Sequence, residues 1–393
     1  MKKIGIVTMV GVDNYGNLLQ NYAVKKLIEE NGFKAITLNN NIIESVKVNE
    51  VKTKDKLKPS FILNYLKVVL FKKFGCKNSK DFSPFGVVSR ISNYKRFNEK
   101  KENRIARLSA FRNECLPFDS ALVNSEAFHQ EKYFAFVCGS DVVWHPTFHH
   151  DKSNDFLAFA PKHKRIALAP SFGVAHIPEG RIADYKKWIE GIEHLSVREK
   201  TGAQIIKELT GRNALVLSDP TLSVEVETWR SIQQAPKEDI KEDFVFCYFL
   251  GNKTKAYEKF IKRYAKDNSC KIISVLDAAD LEHYDVSLGE FLWLIDNAKA
   301  VFTDSFHGVV FSTLFHSPFI AFKRVERGLE LFSRISSFLS DIKLENRVYP
   351  LISFEEIGNI DFDFSDEVIE KKRKLTKKFL SKAISNIETE EWE

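Results

Sequence analysis

Residues 3–39 read KIGIVTMVGVDNYGNLLQNYAVKKLIEENGFKAITLN, and their periodicity decides the fold class. Residues 3–10 are an apolar run of strand length, and 11–17 are a turn rich in Gly, Asp and Asn. Leu18, Leu19, Tyr22, Ala23, Leu27 and Ile28 then recur at helical spacing, Gly32 supplies a stop, and AITLN resumes a strand. Strand, helix and strand in this order make one βαβ unit, the start of a parallel sheet.

Working outward, residues from about 41 to 130 loosen into a lysine-rich, mostly helical stretch, and a clear strand returns only at Tyr133–Cys138. Strand runs follow at 166–171, 194–199 and 214–219, with helices at 181–193 and 201–209. Composition turns polar between Pro220 and Lys241, which marks a domain boundary. The alternation then repeats as strand FVFCYFL, helix 254–266, strand KIISVL, helix 288–298, strand KAVFTD, helix 308–316, strand PFIAFK and helix 329–341. The expected organisation is an α/β chain of two doubly wound domains, 1–225 (with the basic helical insertion at about 41–130) and 240–360. A last helix, 366–393, has a basic stem and an acidic tip.

Bulk properties narrow the function. The 393 residues are 44% hydrophobic and 28% charged, which indicates packed cores and not disorder. The N-terminus reads as a first buried strand without a cleavage site, and no apolar run reaches the ~20 residues of a spanning helix. Five scattered cysteines, never in a C-x-x-C pair, read as reduced cytoplasmic thiols. The net charge is +6, but residues 51–80 alone carry nine lysines against Asp55, so the basic balance is local and does not suggest nucleic acid. Neither G-x-x-x-x-G-K-[ST] nor G-x-G-x-x-G is present, which removes support for ATPase or dinucleotide chemistry. His145, His149, His150 and Asp151 have a metal-like composition but sit in a polar loop and read as surface, so no metal is expected.

In an open parallel sheet, ligands lie beyond the carboxyl ends of the strands. Polar and small residues gather there: Asn14, Gly16, Asn17 and Gln20 after the first strand, Gly139, Ser140 and Asp141 after FAFVC, and Ser171 after IALAP. Arg198 and Glu199, Ser218 and Asp219, and the run Asp304-Ser305-Phe306-His307-Gly308 end three more strands. Taken one at a time, Asn14, Asn17, Ser140, Asp141, Ser218 and Asp219 are ordinary capping residues. Arg198 is either an anion fork or an ion-pair partner of Glu199 or Asp219. His307 is either a general acid near a phosphate or a buried imidazole bonded to a carbonyl.

The ordered blocks Asn14–Ala23, Cys138–Trp144, Ser171–Gly173, Leu195–Glu199, Ser218–Leu222 and Thr303–Gly308, with Phe311-Ser312 and Ser333-Arg334-Ile335, resemble the signatures of the polysaccharide pyruvyl transferase family. The resemblance implies two Rossmann-like domains in the GT-B glycosyltransferase arrangement. It also implies a ketal-forming reaction in which phosphoenolpyruvate, a co-substrate and not a cofactor, gives a pyruvyl group to a sugar of a bacterial cell-surface or exopolysaccharide. By position, His307 corresponds to the family's active-site histidine and Arg198 to a donor-associated arginine, with Ser305, Phe306 and Gly308 beside them. Asn14, Asn17, Gln20, Gly139, Ser140, Asp141 and Ser171 fall to the acceptor side or the cleft. Family members carry an arginine where this chain has Ser305 and often an aspartate where it has Asn17, so Lys323 or Arg324 is expected to supply the missing cation.

Two rival functions share this scaffold: a nucleotide-sugar-dependent glycosyltransferase, and a non-catalytic glycan-assembly protein. The acceptor is a saccharide, lipid-linked or free. Residues 56–77, KLKPSFILNYLKVVLFKKFGCK, read either as a basic segment docked on an anionic inner-membrane surface or as a buried helix whose lysines reach water.

Overall fold

The computed structural model describes residues 1–9, 11, 14–40, 84–147, 153–325 and 332–390. The basic run at 56–77, most of the first half of the expected insertion, and His149, His150 and Asp151 lie outside the described residues. Among the described residues, strands β1 (Lys3–Val7), β2 (Lys34–Asn39), β3 (Phe118–Leu122), β4 (Ala135–Cys138), β5 (Arg165–Ala167), β6 (His194–Val197) and β7 (Leu215–Val216) form one sheet, ordered β3-β2-β1-β4-β5-β6-β7. Strands β8 (Phe244–Tyr248), β9 (Lys271–Val275), β10 (Ala300–Thr303) and β11 (Phe319–Ala321) form a second, ordered β11-β10-β8-β9. Every strand pair is parallel. The central strands are buried throughout, as FVFCY and AVFT are, because helices cover both faces of a parallel sheet.

The helices are α1 (Tyr15–Glu30), α2 (Pro84–Cys115), α3 (Ile182–Glu190), α4 (Lys200–Thr210), α5 (Val226–Arg230), α6 (Lys255–Asp267), α7 (Leu288–Asn297), α8 (Phe306–Leu314), α9 (Phe332–Asp341), α10 (Phe354–Ile357) and α11 (Asp363–Glu390). Local chemistry sets their ends. Asn14 caps α1 by accepting from the Gly16 N–H at 2.8 Å, and Ser287 and Glu290 close a capping box on α7. Gly211, at φ 71°, ends α4 in the left-handed conformation that glycine adopts without a Cβ clash.

Two readings of the sequence are corrected. The stretch before Tyr133 was expected to lack a strand, yet Phe118–Leu122 pairs with β2 at the sheet edge. Its residues are half-exposed, so it carries no apolar run for a periodicity argument to detect. The helix expected from residue 308 begins at Phe306, with Ser305 as its cap, which places His307 inside the first turn.

The largest apolar cluster joins the two sheets. Tyr15, Leu18, Leu19 and Tyr22 of α1 pack with Phe246, Tyr248 and Phe291 of the second sheet and its helix α7. Tyr15 stacks on Phe291 with ring centroids 4.4 Å apart, and its hydroxyl donates to the Val286 carbonyl at 2.8 Å. Helix α2 adds ion pairs across the same junction, Arg107 to Glu290 at 2.6 Å and Lys100 to Asp285 at 2.8 Å. The last helix packs back on the first sheet, where Leu380, Ala383, Ile384 and Ile387 meet Ile4, Ile6, Val24 and Ile28. No helix among the described residues is long and apolar enough to cross a membrane.

Tyr15 is fully buried at this junction, so its truncation removes apolar contact on both sides. Tyr15→Ala is expected to cost about 3–5 kcal/mol of unfolding free energy. Tyr15→Phe, which strands only the Val286 carbonyl, should cost about 1–3 kcal/mol. Guanidinium unfolding midpoints of the three proteins check both figures.

Candidate active site

The first sheet reverses its winding between β1 and β4, and the second between β8 and β10. Chain leaving those strand ends forms a crevice, the usual ligand position in such sheets. Residues 14–16 and 139–141 come from the first reversal and 304–308 from the second. Arg198 and Asp219 join them from the ends of β6 and β7, and Arg334 joins from α9.

Arg198 is the hub. Its Nη1 donates to Asp219 Oδ2 at 2.6 Å, its Nε lies 3.8 Å from Glu199 Oε2, and its Nη2 lies 4.0 Å from Asp141 Oδ1. Burial pulls its pKa down, but Asp219, Glu199 and Asp141 outweigh burial and raise it. Asp219 is wholly buried; its other oxygen caps the turn at 220–223 by accepting from the Thr221 N–H and hydroxyl at 3.0 and 2.7 Å. Burial pushes the Asp219 carboxyl up, but His307, Arg198 and the Thr221 bonds outweigh it and bring it down to about 2. Both plain readings of these residues, ion pair and cap, are therefore present in the structure.

His307 is buried at the start of α8, its Nε2 3.8 Å from Asp219 Oδ2 and without a hydrogen bond. Burial lowers its pKa against the pull of Asp219 and Asp141, so the ring rests neutral at neutral pH. With the imidazole neutral, Arg198 is the standing counter-charge of Asp219. The ring is pressed against the start of α1: a Cβ added at Gly16 would lie 2.3 Å from His307 Nδ1, so only glycine fits there.

Arg334, in the block Ser333-Arg334-Ile335, has no role assigned by the sequence, and the structure brings it into the site. Its Nη1 reaches Asp141 Oδ1 at 3.4 Å, and its guanidinium lies over the Phe306 ring at 5.8 Å, the ring that Arg198 also covers at 5.1 Å. Burial and the neighbouring Arg198 push the Arg334 pKa down to about 10. Arg198, Asp219 and Phe306 line one side of a cavity of about 560 Å³ that α9, with Arg334, and α11 close on the other.

The remaining candidates divide. Asp141, at φ 68°, accepts from the Val142 N–H and faces both arginines. Ser140 Oγ sits 3.2 Å from Asp219 Oδ2 and 2.8 Å from the Ala169 carbonyl, and Ser171 Oγ donates to Glu199 Oε1 at 2.8 Å. Asn17 is buried in the first turn of α1, while Gln20 lies deeper, donating to Thr8 Oγ1 at 2.6 Å beside Gly139. Ser305 caps the Gly308 N–H at 3.4 Å, and Gly308 packs too closely on Thr303 for a Cβ. Arg324 pairs with Asp304 at 3.3 Å, and Lys323 is exposed over the Phe332 ring. Arg334 thus stands beside Arg198, whereas Arg324 is held by Asp304 and Lys323 lies at the surface. His145, read as surface, is buried, its Nδ1 3.0 Å from Thr147 Oγ1.

A buried His307 with a lowered pKa stabilises the fold above the unfolded pKa of about 6.5, and that stability is lost as pH falls through the folded value. Between pH 7.5 and 5, melting temperatures should drop further for the wild type than for His307→Gln. Gly16→Ala should displace the imidazole and lower turnover at least tenfold, which steady-state kinetics on a folded variant would read.

A sequence profile described as Polysaccharide pyruvyl transferase matches residues 14–324. No curated protein matches the chain. Solved structures similar to it include UDP-GlcNAc 2-epimerase from Neisseria meningitidis bound to UDP-GlcNAc, at 11% identity and TM-score 0.39, covering 97% of this chain and 100% of that one. The N-terminal domain of Candida albicans trehalose-6-phosphate phosphatase aligns at 11% identity and TM-score 0.41, over 98% and 97%. A UDP-glucosyltransferase from Polygonum tinctorium aligns at 9% identity and TM-score 0.38, over 98% of each chain. Likeness at that level carries no functional weight, whereas the profile spans every strand-end block that builds the crevice: the chain belongs to the polysaccharide pyruvyl transferase family.

Proposed function

We propose that the crevice binds phosphoenolpyruvate between Arg198, Arg334 and His307 and transfers its pyruvyl group to two hydroxyls of a saccharide as a cyclic ketal. One observation carries this reading. Arg198 Nη2, Arg334 Nε and His307 Nε2 are buried, unbonded polar atoms clustered around Asp141, Asp219 and Phe306. Buried polar atoms without partners are costly, and a small molecule with a carboxylate and a phosphate would satisfy them.

Charge supports the same reading and assigns the proton. Two guanidiniums face three carboxylates, Asp141, Glu199 and Asp219, so the cluster stands at a formal −1 while His307 is neutral. A polyanionic donor arriving there favours protonation of His307. The imidazolium then holds the proton that the chemistry needs at the donor's methylene carbon.

Protonation of that carbon leaves a cation at C2, which one sugar hydroxyl oxygen attacks. The C–O bond to phosphate breaks, and the second hydroxyl oxygen closes the ketal. Of the two hydroxyl protons, one returns to His307 and the other leaves with phosphate, so the atoms balance and the imidazole is regenerated as it was in the donor complex. Arg198 and Arg334 hold the donor's anionic groups, and Phe306 supports both guanidiniums from below. Asn14 and Asn17, at the start of α1, are the residues proposed to meet the saccharide.

Calorimetry in buffers of different ionisation enthalpy tests the coupling. Phosphoenolpyruvate should bind with proton uptake near pH 7.5, and His307→Ala should bind without uptake and lose about 10²–10⁴-fold in transfer. Arg334→Gln should weaken donor binding by roughly 10- to 150-fold, the worth of one charge-assisted hydrogen bond. Thermal stabilisation by nucleotide sugars and none by phosphoenolpyruvate would overturn the assignment.

A further inference from the structure

Away from the crevice, Glu238, Glu282 and His283 bring one ligating atom each within 4.8 Å of one another. Glu238 belongs to the connection between the two sheets, and Glu282 and His283 to the segment between β9 and α7. None of the three lines the 560 Å³ cavity. The glutamates are exposed, whereas His283 is 5% exposed and its Nε2 is a buried atom without a hydrogen bond, 3.4 Å from Glu238 Oε2.

What faces this nitrogen is set from behind. Asp280 Oδ2 accepts the backbone N–H of Ser274 at 2.9 Å, which pins the carboxylate to the edge strand β9. The same carboxylate meets His283 Nδ1 at 2.9 and 3.0 Å. The Asp280 carboxylate accepts, which favours the tautomer with its proton on Nδ1 and a lone pair on Nε2. That lone pair points at carboxylates, which are also acceptors. A divalent ion set among these atoms would be held by all three.

Lys271 Nζ meets Glu238 at Oε1, 2.9 Å away, and leaves Oε2 facing the imidazole. A carboxylate behind a histidine whose other nitrogen meets further carboxylates is the arrangement that orients metal-binding imidazoles. One nitrogen and two carboxylate oxygens suit a divalent ion of the zinc type, with water completing four-coordination, and suit magnesium poorly. Small rotations of the two exposed glutamates bring the ligands from their present spacing to about 2 Å from an ion.

We propose that Glu238, Glu282 and His283 bind one zinc-type divalent ion, oriented by Asp280, which clamps the connection between the sheets to the segment that borders β9.

The test is titration of chelator-treated full-length protein with zinc ion alone, read by calorimetry and by melting temperature. The expected result is one site per chain, a melting temperature that rises with zinc concentration, and no comparable effect of magnesium. Glu282→Gln alters an exposed side chain and should fold normally while weakening zinc at least tenfold. Asp280→Asn, which releases the imidazole tautomer, should weaken it by about 10–100-fold. Unchanged zinc affinity in Glu282→Gln and His283→Gln would place any bound zinc elsewhere and overturn the proposal, as would a chain that binds no zinc.

Discussion

The contact between Arg198 and Asp219, 2.6 Å long and largely buried, is the constraint on which the crevice depends. Removing two ions from water costs several kcal/mol each, and their attraction offsets this only where the remaining polar atoms are also satisfied. Asp219 meets that condition through Thr221, and in doing so it shapes the turn at 220–223. That turn packs against α1, α8 and α11, so one ion pair ties the outer edge of the first sheet to a helix of the second and to the C-terminal helix. Loss of either partner would leave a buried, uncompensated charge, a defect of about 3–5 kcal/mol at the point where the elements meet.

Around this pair the site is held under electrostatic tension. Arg198 and Arg334 lie over the same Phe306 ring, and their mutual repulsion helps to depress the Arg334 pKa to about 10. Asp141 lies between them in a left-handed backbone conformation, reaching Arg334 at 3.4 Å and Arg198 only at 4.0 Å. Neither contact uses all the guanidinium donors. A ligand with spread negative charge relieves the arginine repulsion, while its own repulsion from the carboxylates is relieved by a proton on His307. In the proposed function, anion binding and protonation are coupled through this charge arrangement.

The sequence made the alternation of strands and helices legible because buried parallel strands are continuous apolar runs, as in Phe244–Tyr248 and Ala300–Thr303. It concealed β3, a half-exposed edge strand whose pairing depends on a neighbour and not on its own composition. Arg198 and His307 stood out because a cation or imidazole at a strand end needs an explanation. Arg334 did not, since an arginine near the start of an amphipathic helix is ordinary until the fold sets it beside Asp141, 193 positions earlier. Gly16 was visible as a turn glycine, but its contact with His307 joins positions on different sheets, which no local pattern encodes.

The second sheet also fills its own anion position, beside which His307 stands. At its reversal point the Asp304 carboxylate accepts the N–H groups of Leu250 and Gly251, at 2.7 and 2.9 Å, and pairs with Arg324. The position at which such sheets ordinarily receive an anionic ligand is therefore filled by a side chain of the protein, and Arg324 is neutralised there. An incoming anion is left with Arg198 and Arg334, across the crevice and beside His307. In the proposed reaction, Asp304 thus closes one anion position, and the Arg198–Asp219 pair, with a guanidinium nitrogen still unbonded, leaves another for the donor.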